Sequence, residues 1–347
     1  MDQFDLGDLG WSPELARALE AHQIPARVVA EHRRQLAVHA ASGELRVRVP
    51  GRFHHEGVDV AVGDWVAIAD DAVVQAVLPR RSAIVRTAAG LSTTAQTLAA
   101  NVDVAFVVSS LGPDVEPRRI ERYLVSIWES GAAPEIVLTK ADRLEDPWPL
   151  VAEVEAAAVG VPVHVVSART GQGCDALRAR LLPGTTAVLL GSSGVGKSTL
   201  VNRWLGETTM ATNETRADDD EGRHTTTHRQ LLHLPGGGMV IDTPGLRELQ
   251  LWDVGEEALG AAFADVEELA AACRFNDCSH TQEPGCAVLA AVETGELPGE
   301  RLASWRKLQR ELRAVAVRHD ARLRKEEGRK WHLATREARA RSRLKSR

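Results

Sequence analysis

One octapeptide constrains this chain more than any other feature. Gly191-Ser192-Ser193-Gly194-Val195-Gly196-Lys197-Ser198 matches the pattern G-x-x-x-x-G-K-[ST], once in 347 residues. At average composition a chain of this length holds such a match by chance on the order of one time in a hundred. Context narrows it further, because the apolar run 187–190 precedes it and helix-forming residues 197–205 follow. Glycines in such a loop let backbone N–H groups turn inward around phosphate oxygens. Lys197 then neutralises the β and γ phosphates, and the Ser198 hydroxyl ligates Mg²⁺. The helix that starts there adds its N-terminal partial charge. The predicted phosphate-binding residues are therefore Gly191, Ser192, Ser193, Gly194, Val195, Gly196, Lys197, Ser198 and Thr199.

The surrounding rhythm fits an α/β sheet. From residue 101 the chain alternates strands (102–109, 136–139, 163–166, 186–190, 239–242) with helices (117–129, 150–159, 174–182, 197–205). That is a βαβ series, which forms a mostly parallel sheet covered on both faces. Its strand ends carry further chemistry. Asp242-Thr243-Pro244-Gly245 follows the apolar run 239–241. Asp242 at that place reaches Mg²⁺ through water, and the Gly245 N–H senses a γ-phosphate.

Thr139-Lys140-Ala141-Asp142 ends another strand. A carboxylate at Asp142 accepts hydrogen bonds from guanine N1–H and N2–H₂, whereas adenine would leave it desolvated and unpaired. The Lys140 stem covers the base plane. Ser167-Ala168-Arg169 ends the next strand, and its backbone meets the guanine carbonyl. GTP is thus expected over ATP. The order is unusual, since the base readers precede the phosphate loop. All these loops lie at the carboxyl edge of one sheet, so circular permutation leaves the site intact.

Other regions differ in character. Residues 1–20 suggest a short amphipathic helix opened by Ser12-Pro13-Glu14. Runs at 28–29, 35–39, 45–49 and 64–68, separated by Gly- and Pro-containing turns, suggest a small barrel, and 88–100 reads as a linker. Residues 256–347 read as helical except for a break at 273–286. There Cys273, Cys278, His280 and Cys286 form a Cys₃His set whose spacing wraps one tetrahedral ion. A closed four-ligand shell implies one structural Zn²⁺ per chain. With four cysteines in the whole chain, a disulfide framework is not expected. The acidic N-terminus lacks a secretory pattern and no stretch of about 18 apolar residues exists, so a cytoplasmic protein that does not enter membranes is expected. The net charge is −6, yet the last 47 residues hold 17 Lys and Arg against 5 Asp and Glu. A basic tail on an acidic body marks a polyanion partner.

The permuted motif order, the barrel and the knuckle together resemble the RsgA/YjeQ family of small-ribosomal-subunit-dependent GTPases. The resemblance runs over residues 25–315 and includes Val62-Gly63-Asp64-Trp65-Val66, Gly222-Arg223-His224-Thr225-Thr226-Thr227 and Cys278-x-His280-x-x-Glu283-Pro284-Gly285-Cys286. It implies a circularly permuted P-loop GTPase domain (101–252) between an N-terminal OB-fold barrel (25–86) and a helical zinc-binding domain (256–316). An N-terminal segment (1–24) and a basic tail (317–347) flank these. It also implies GTP hydrolysis coupled to late maturation of the small ribosomal subunit, stimulated by the subunit and its rRNA, with Mg²⁺ as the nucleotide's ion and the chain acting as a monomer. Leu246 stands where many GTPases place the glutamine that orients the attacking water. By resemblance that role passes to His224, alongside Lys197 and Gly245, and Thr225 or Thr226 completes the Mg²⁺ shell. The rival readings are a non-catalytic rRNA-binding assembly factor whose nucleotide is structural, a P-loop ATPase, and a zinc hydrolase.

Overall fold

A computed structural model describes residues 3–32, 35–87, 95–112, 115–206, 229–242 and 256–319. The chain divides into two compact units, Met1–Gln250 and Leu251–Arg347.

In the first unit, β1 (Ile24–His32), β2 (Gln35–Ala40), β3 (Gly43–Arg48), β4 (Trp65–Ile68) and β5 (Val74–Val77) pair in the order β3-β2-β1-β4-β5. A parallel bridge between Arg48 and Val73 joins the two ends of that path. Strand alternation sends Ala26, Val28, Leu36, Val38, Ala40, Val66 and Ile68 into one buried cluster with Val47, Phe53 and Val74. A register shift between Val28 and Ala30 bends β1. The bend lets its far end continue into the larger sheet, where Ala30 pairs with Gln230. Short helices α1 (Pro13–Arg17) and α2 (Gly51–Glu56) flank these strands in sequence. The helix expected over 1–20 is only α1, capped by Ser12. The segment before it turns instead, with the Gly184 N–H donating to Asp8 O at 3.1 Å.

Residues 95–100, read from sequence as part of a linker, form β7 (Ala95–Ala100), antiparallel to β6 (Ala83–Thr87). The loop leading into β4 comes close to the backbone of this strand. Ala100 N donates to Val62 O at 3.0 Å, and a Cβ on Gly63 (φ +93°) would sit 2.1 Å from Ala100 O. That contact accounts for the glycine in Val62-Gly63-Asp64-Trp65.

The remaining strands are β8 (Val104–Ser110), β9 (Ala133–Thr139), β10 (Val163–Val165), β11 (Thr186–Leu190), β12 (Gln230–His233) and β13 (Met239–Asp242). Their order is β10-β9-β8-β11-β13-β12, with β12 antiparallel and the others parallel. The runs are apolar without alternation because both sheet faces are covered. On one face Phe106, Val108 and Leu189 meet Leu177, Leu200, Val201 and Trp204, from α5 (Cys174–Arg178) and α6 (Lys197–Leu205). Helices α3 (Pro117–Ser130) and α4 (Trp148–Ala157) pack beside β8, β9 and β10. Helix α5 is shorter than the sequence suggested, and the Arg178 side chain reaches forward past its end to donate to Leu181 O at 2.8 Å. Strand β9 begins earlier than expected. Its Glu135 is buried but engaged by His164 Nε2 at 2.7 Å and Arg180 Nη2 at 2.6 Å.

One buried cation ties these parts together. Arg27 on β1 is fully buried, and burial depresses its pKa to about 10, so it stays charged at neutral pH. It donates to Leu9 O, to Asn101 O at 3.1 Å and to Thr186 Oγ1 at 2.8 Å. The N-terminal segment, the barrel and the strand leading to the phosphate loop therefore share one guanidinium.

The second unit contains α7 (Glu256–Ala262), α8 (Ala264–Ala270), α9 (Ala287–Thr294) and α10 (Gly299–His319). The Cys/His segment lies between α8 and α9. Arg301 of α10 is buried over the Phe263 ring at 4.1 Å and forms a fork with Asp265 at 2.9 and 3.0 Å.

Candidate nucleotide site and metal centre

Strand β11 ends at the phosphate loop, and α6 starts at Lys197, its cap residue Gly196 lacking any side-chain cap. The first N–H groups of α6 are thus left to an incoming anion. Gly191 is obligatory: its φ is +141°, and a Cβ would lie 2.2 Å from Val108 O. Lys197 Nζ donates to Gly191 O at 2.7 Å and Ser192 O at 2.8 Å, which holds the ammonium against the loop. Ser198 and Thr199 occupy the first turn of α6, and Asp242 ends β13 in register with Gln230. A cavity of about 170 Å³ lies beside the loop, walled in part by Ser110, Arg119 and Tyr123. Gly191, Ser192, Ser193, Gly194 and Val195 of the loop itself line it too, so it adjoins the predicted phosphate seat, while Lys197, Ser198 and Asp142 do not line it.

The base readers arrive on β9 and β10, which lie on the far side of β8 from β11. Thr139 replaces the asparagine commonest at this place, and its hydroxyl performs the bracing itself. It donates to Val195 O of the phosphate loop and contacts Ser109 O at 3.2 Å. Lys140 adopts a left-handed backbone (φ +60°), a strained geometry that turns the chain into Asp142. Ser167, fully buried, donates its hydroxyl to Asp142 Oδ1 at 2.6 Å, and Arg169 lies 3.8 Å from Oδ2. The Ser167 hydroxyl, helped by Arg169, holds the Asp142 carboxyl below its ordinary value, so it is an anion with a fixed direction. Sequence reasoning assigned Ser167 a backbone role only. It gave no role to Arg203, whose Nη1 donates to Ala168 O at 3.2 Å. An arginine on a helix face carries no signal in sequence that it braces a loop far from it along the chain. His224, Thr225, Thr226, Gly245 and Leu246 lie outside the described residues.

In the second unit, the ligand atoms of Cys273, Cys278, His280 and Cys286 all lie within 4.8 Å of one another. A tetrahedral zinc with bonds of about 2.3 Å to sulfur and about 2.0 Å to nitrogen places two sulfurs about 3.8 Å apart, and sulfur and nitrogen about 3.5 Å apart. Cys273 Sγ and Cys286 Sγ are 3.8 Å apart, while His280 Nδ1 lies 3.6 and 3.4 Å from those sulfurs. The donor set therefore fits such an ion. His280 has a left-handed backbone (φ +53°), which directs its ring inward. Burial pushes the Cys273 thiol up, but N–H groups of Val288 and Ala287 outweigh that and hold it below its ordinary value. Burial and the neighbouring sulfurs push Cys278 up to about 11, as expected of thiols that need a shared cation to ionise together. Glu283 straps the ligand loop: its carboxylate accepts from the N–H groups of Ser279 (3.0 Å), Thr281 (2.8 Å) and Gln282 (3.0 Å).

A P-loop and its base-reading loops, joined by Thr139 and gathered at one sheet edge in permuted chain order, define a circularly permuted GTPase. The comparisons make the assignment narrower. The family model for RsgA GTPase matches residues 77–252. The small ribosomal subunit biogenesis GTPase RsgA of Streptomyces avermitilis is 49% identical over 331 residues, covering 93% of this chain and 89% of the relative. The protein of that name from Opitutus terrae is 46% identical, with 99% of each chain covered. Among solved structures, YjeQ from Thermotoga maritima aligns with a TM-score of 0.65 at 29% identity, over 84% of this chain and 98% of that one. YloQ, a circularly permuted GTPase, aligns at 0.61 and 26%, over 85% and 96%. The chain belongs to the RsgA GTPase family.

Proposed function

We propose that this protein hydrolyses GTP during late biogenesis of the small ribosomal subunit, and that contact with the subunit's rRNA raises its turnover. The observation that carries the reading is the Ser167–Asp142 clamp, a fixed anion suited to guanine and tied to the phosphate loop through Thr139. Family membership supports the biological setting, since the relatives are named for small ribosomal subunit biogenesis.

The nucleotide would seat its base on Asp142, with Thr139, Lys140, Ser167 and Ala168 around it, and its phosphates on residues 191–199. Mg²⁺, when bound with GTP, neutralises phosphate charge; Ser198, Asp242 and Thr225 or Thr226 are its candidate ligands. Lys197 stabilises negative charge as the terminal phosphate leaves, Gly245 senses that phosphate, and His224 orients water. In the second unit the Cys₃His set would hold one structural Zn²⁺, its full shell leaving no open position for water. This argues against a zinc hydrolase.

Residues 25–86 form our candidate OB-type barrel. Support comes from the order β3-β2-β1-β4-β5 with its parallel closing bridge. The boundaries 1–24, 25–86, 101–252, 256–316 and 317–347 stand as our division of the chain. The basic tail would bind rRNA phosphates, and the protein would act as a cytoplasmic monomer. Among the described residues, no helix is long and apolar enough to cross a membrane.

The test is single-turnover GTP hydrolysis titrated with purified small subunits at two salt concentrations. The reading expects stimulation that weakens as salt rises. Equal rates with and without subunits would refute the coupling. Absence of GTP hydrolysis under both conditions would favour the non-catalytic alternative.

A further inference from the structure

Helix α6 carries Lys197 of the phosphate loop at its start and Arg203 six residues on, about 9 Å further along the axis. Arg203 is exposed, yet its guanidinium is engaged at both ends of its fork. Nη1 donates to Ala168 O at 3.2 Å. Nη2 lies so close to Gly171 that a Cβ on that residue would stand 2.1 Å from it. Gly171 has a φ of +93°, so one glycine both turns the loop after β10 and leaves room for the guanidinium. Ser167 fixes the rest of this loop. Its N–H donates to Gln172 O at 2.9 Å, its carbonyl accepts from Gly171 N–H at 2.8 Å, and its hydroxyl accepts from Thr170 N–H at 3.2 Å while donating to Asp142. None of these bonds engages the Ala168 carbonyl; Arg203 does.

Guanine presents two kinds of group to such a site. Its N1–H and N2–H₂ are donors and fall to the Asp142 carboxylate, whereas its 6-carbonyl is an acceptor and falls to the backbone of residues 167–169. A backbone donor discriminates only when its peptide is held in one direction. We propose that Arg203 is a positioning residue for base selection: it holds the Ala168 peptide where the 6-carbonyl is read. Because Arg203 stands on the helix whose start receives the phosphates, one rigid rod then sets the distance between the base reader and the phosphate seat. The inference rests on the guanine reading given above. It adds to that reading a side chain that belongs to none of the nucleotide motifs.

The test compares GDP with 6-thioguanosine diphosphate as competitors of a fluorescent GDP analogue on the full-length protein. The thio compound keeps N1–H, N2–H₂ and both phosphates, and replaces only the 6-carbonyl oxygen by sulfur, a weak acceptor. The parent should prefer GDP. In R203A that preference should narrow by about threefold to tenfold, because GDP loses a well-aimed donor that the thio compound hardly used. A role confined to holding the fold would weaken both nucleotides alike and leave their ratio untouched. An R203A ratio equal to the parent's therefore overturns the proposal, whether the two affinities stay or fall together. Should R203A fail to fold, R203M, which keeps the apolar stem along α6, carries the same expectation and the same refutation. A parent that binds GDP no better than the thio compound refutes the guanine reading and this inference with it, a result distinct from an unchanged ratio in the variant.

Discussion

Replacing Ser167 by alanine probes the base-reading clamp directly. The serine hydroxyl donates to Asp142 Oδ1 at 2.6 Å and is itself fully buried. A hydrogen bond to a charged group contributes about 1.5–3 kcal/mol. Asp142 keeps some solvent contact and has Arg169 at 3.8 Å as a second partner, so a discounted loss of about 1–2 kcal/mol is expected. That corresponds to roughly 5–30-fold weaker GDP binding. The change also has a pH signature. The Ser167 bond is the first cause that lowers the Asp142 pKa, so its removal lets the carboxylate protonate at a higher pH. GDP affinity in S167A should then begin to fall at a higher pH than in the parent. Titration with a fluorescent GDP analogue at pH 7.5 and in the acid range measures both effects. A double-mutant cycle with D142N isolates the coupling. An S167A cost below twofold, or the same cost in the D142N background, would refute the clamp.

Further outcomes follow from other contacts. Thr139→Val keeps the side-chain shape but leaves Val195 O without its hydroxyl donor. Nucleotide affinity should drop by about tenfold or more while T139N recovers most of it, as measured by the same titration. Gly63→Ala drives a Cβ to 2.1 Å from Ala100 O at φ +93°, so thermal or urea unfolding should show a loss on the order of 3 kcal/mol. His39 and His233 share a 3.0 Å contact, and burial holds both below the ordinary histidine value of 6.5, His233 at about 4. The unfolded chain binds more protons in that window, so stability is present above it and is lost as pH falls from about 6.5 toward 4. Urea midpoints at pH 7 and pH 5 should show this loss, and an undiminished loss in H233Q would contradict the assignment. Glu283→Gln weakens the strap across three backbone N–H groups, and should speed zinc release without changing GDP affinity.

The site was legible in sequence wherever chemistry is local. The phosphate-loop pattern and the Cys₃His spacing each fall within a few consecutive residues, and the structure brings the four Cys/His ligand atoms within 4.8 Å of one another. What stayed hidden depends on groups distant in the chain. Glu135 looks like a strand breaker until His164 and Arg180 engage it. Residues 95–100 look like a linker because alanine is a poor strand former, yet they pair with β6, and Gly63 approaches the Ala100 carbonyl closely. The bracing hydroxyl of Thr139 and the reach of Arg203 to Ala168 O likewise need the folded sheet edge before they can be read.

The most direct test of the account is nucleotide choice in D142N. Asparagine offers an NH₂ donor group beside one carbonyl acceptor where aspartate offers only acceptors. Competition between GDP and XDP for the variant should therefore move toward XDP, whose 2-carbonyl accepts the new N–H. A variant that keeps the parent's preference for GDP would show that guanine is read elsewhere.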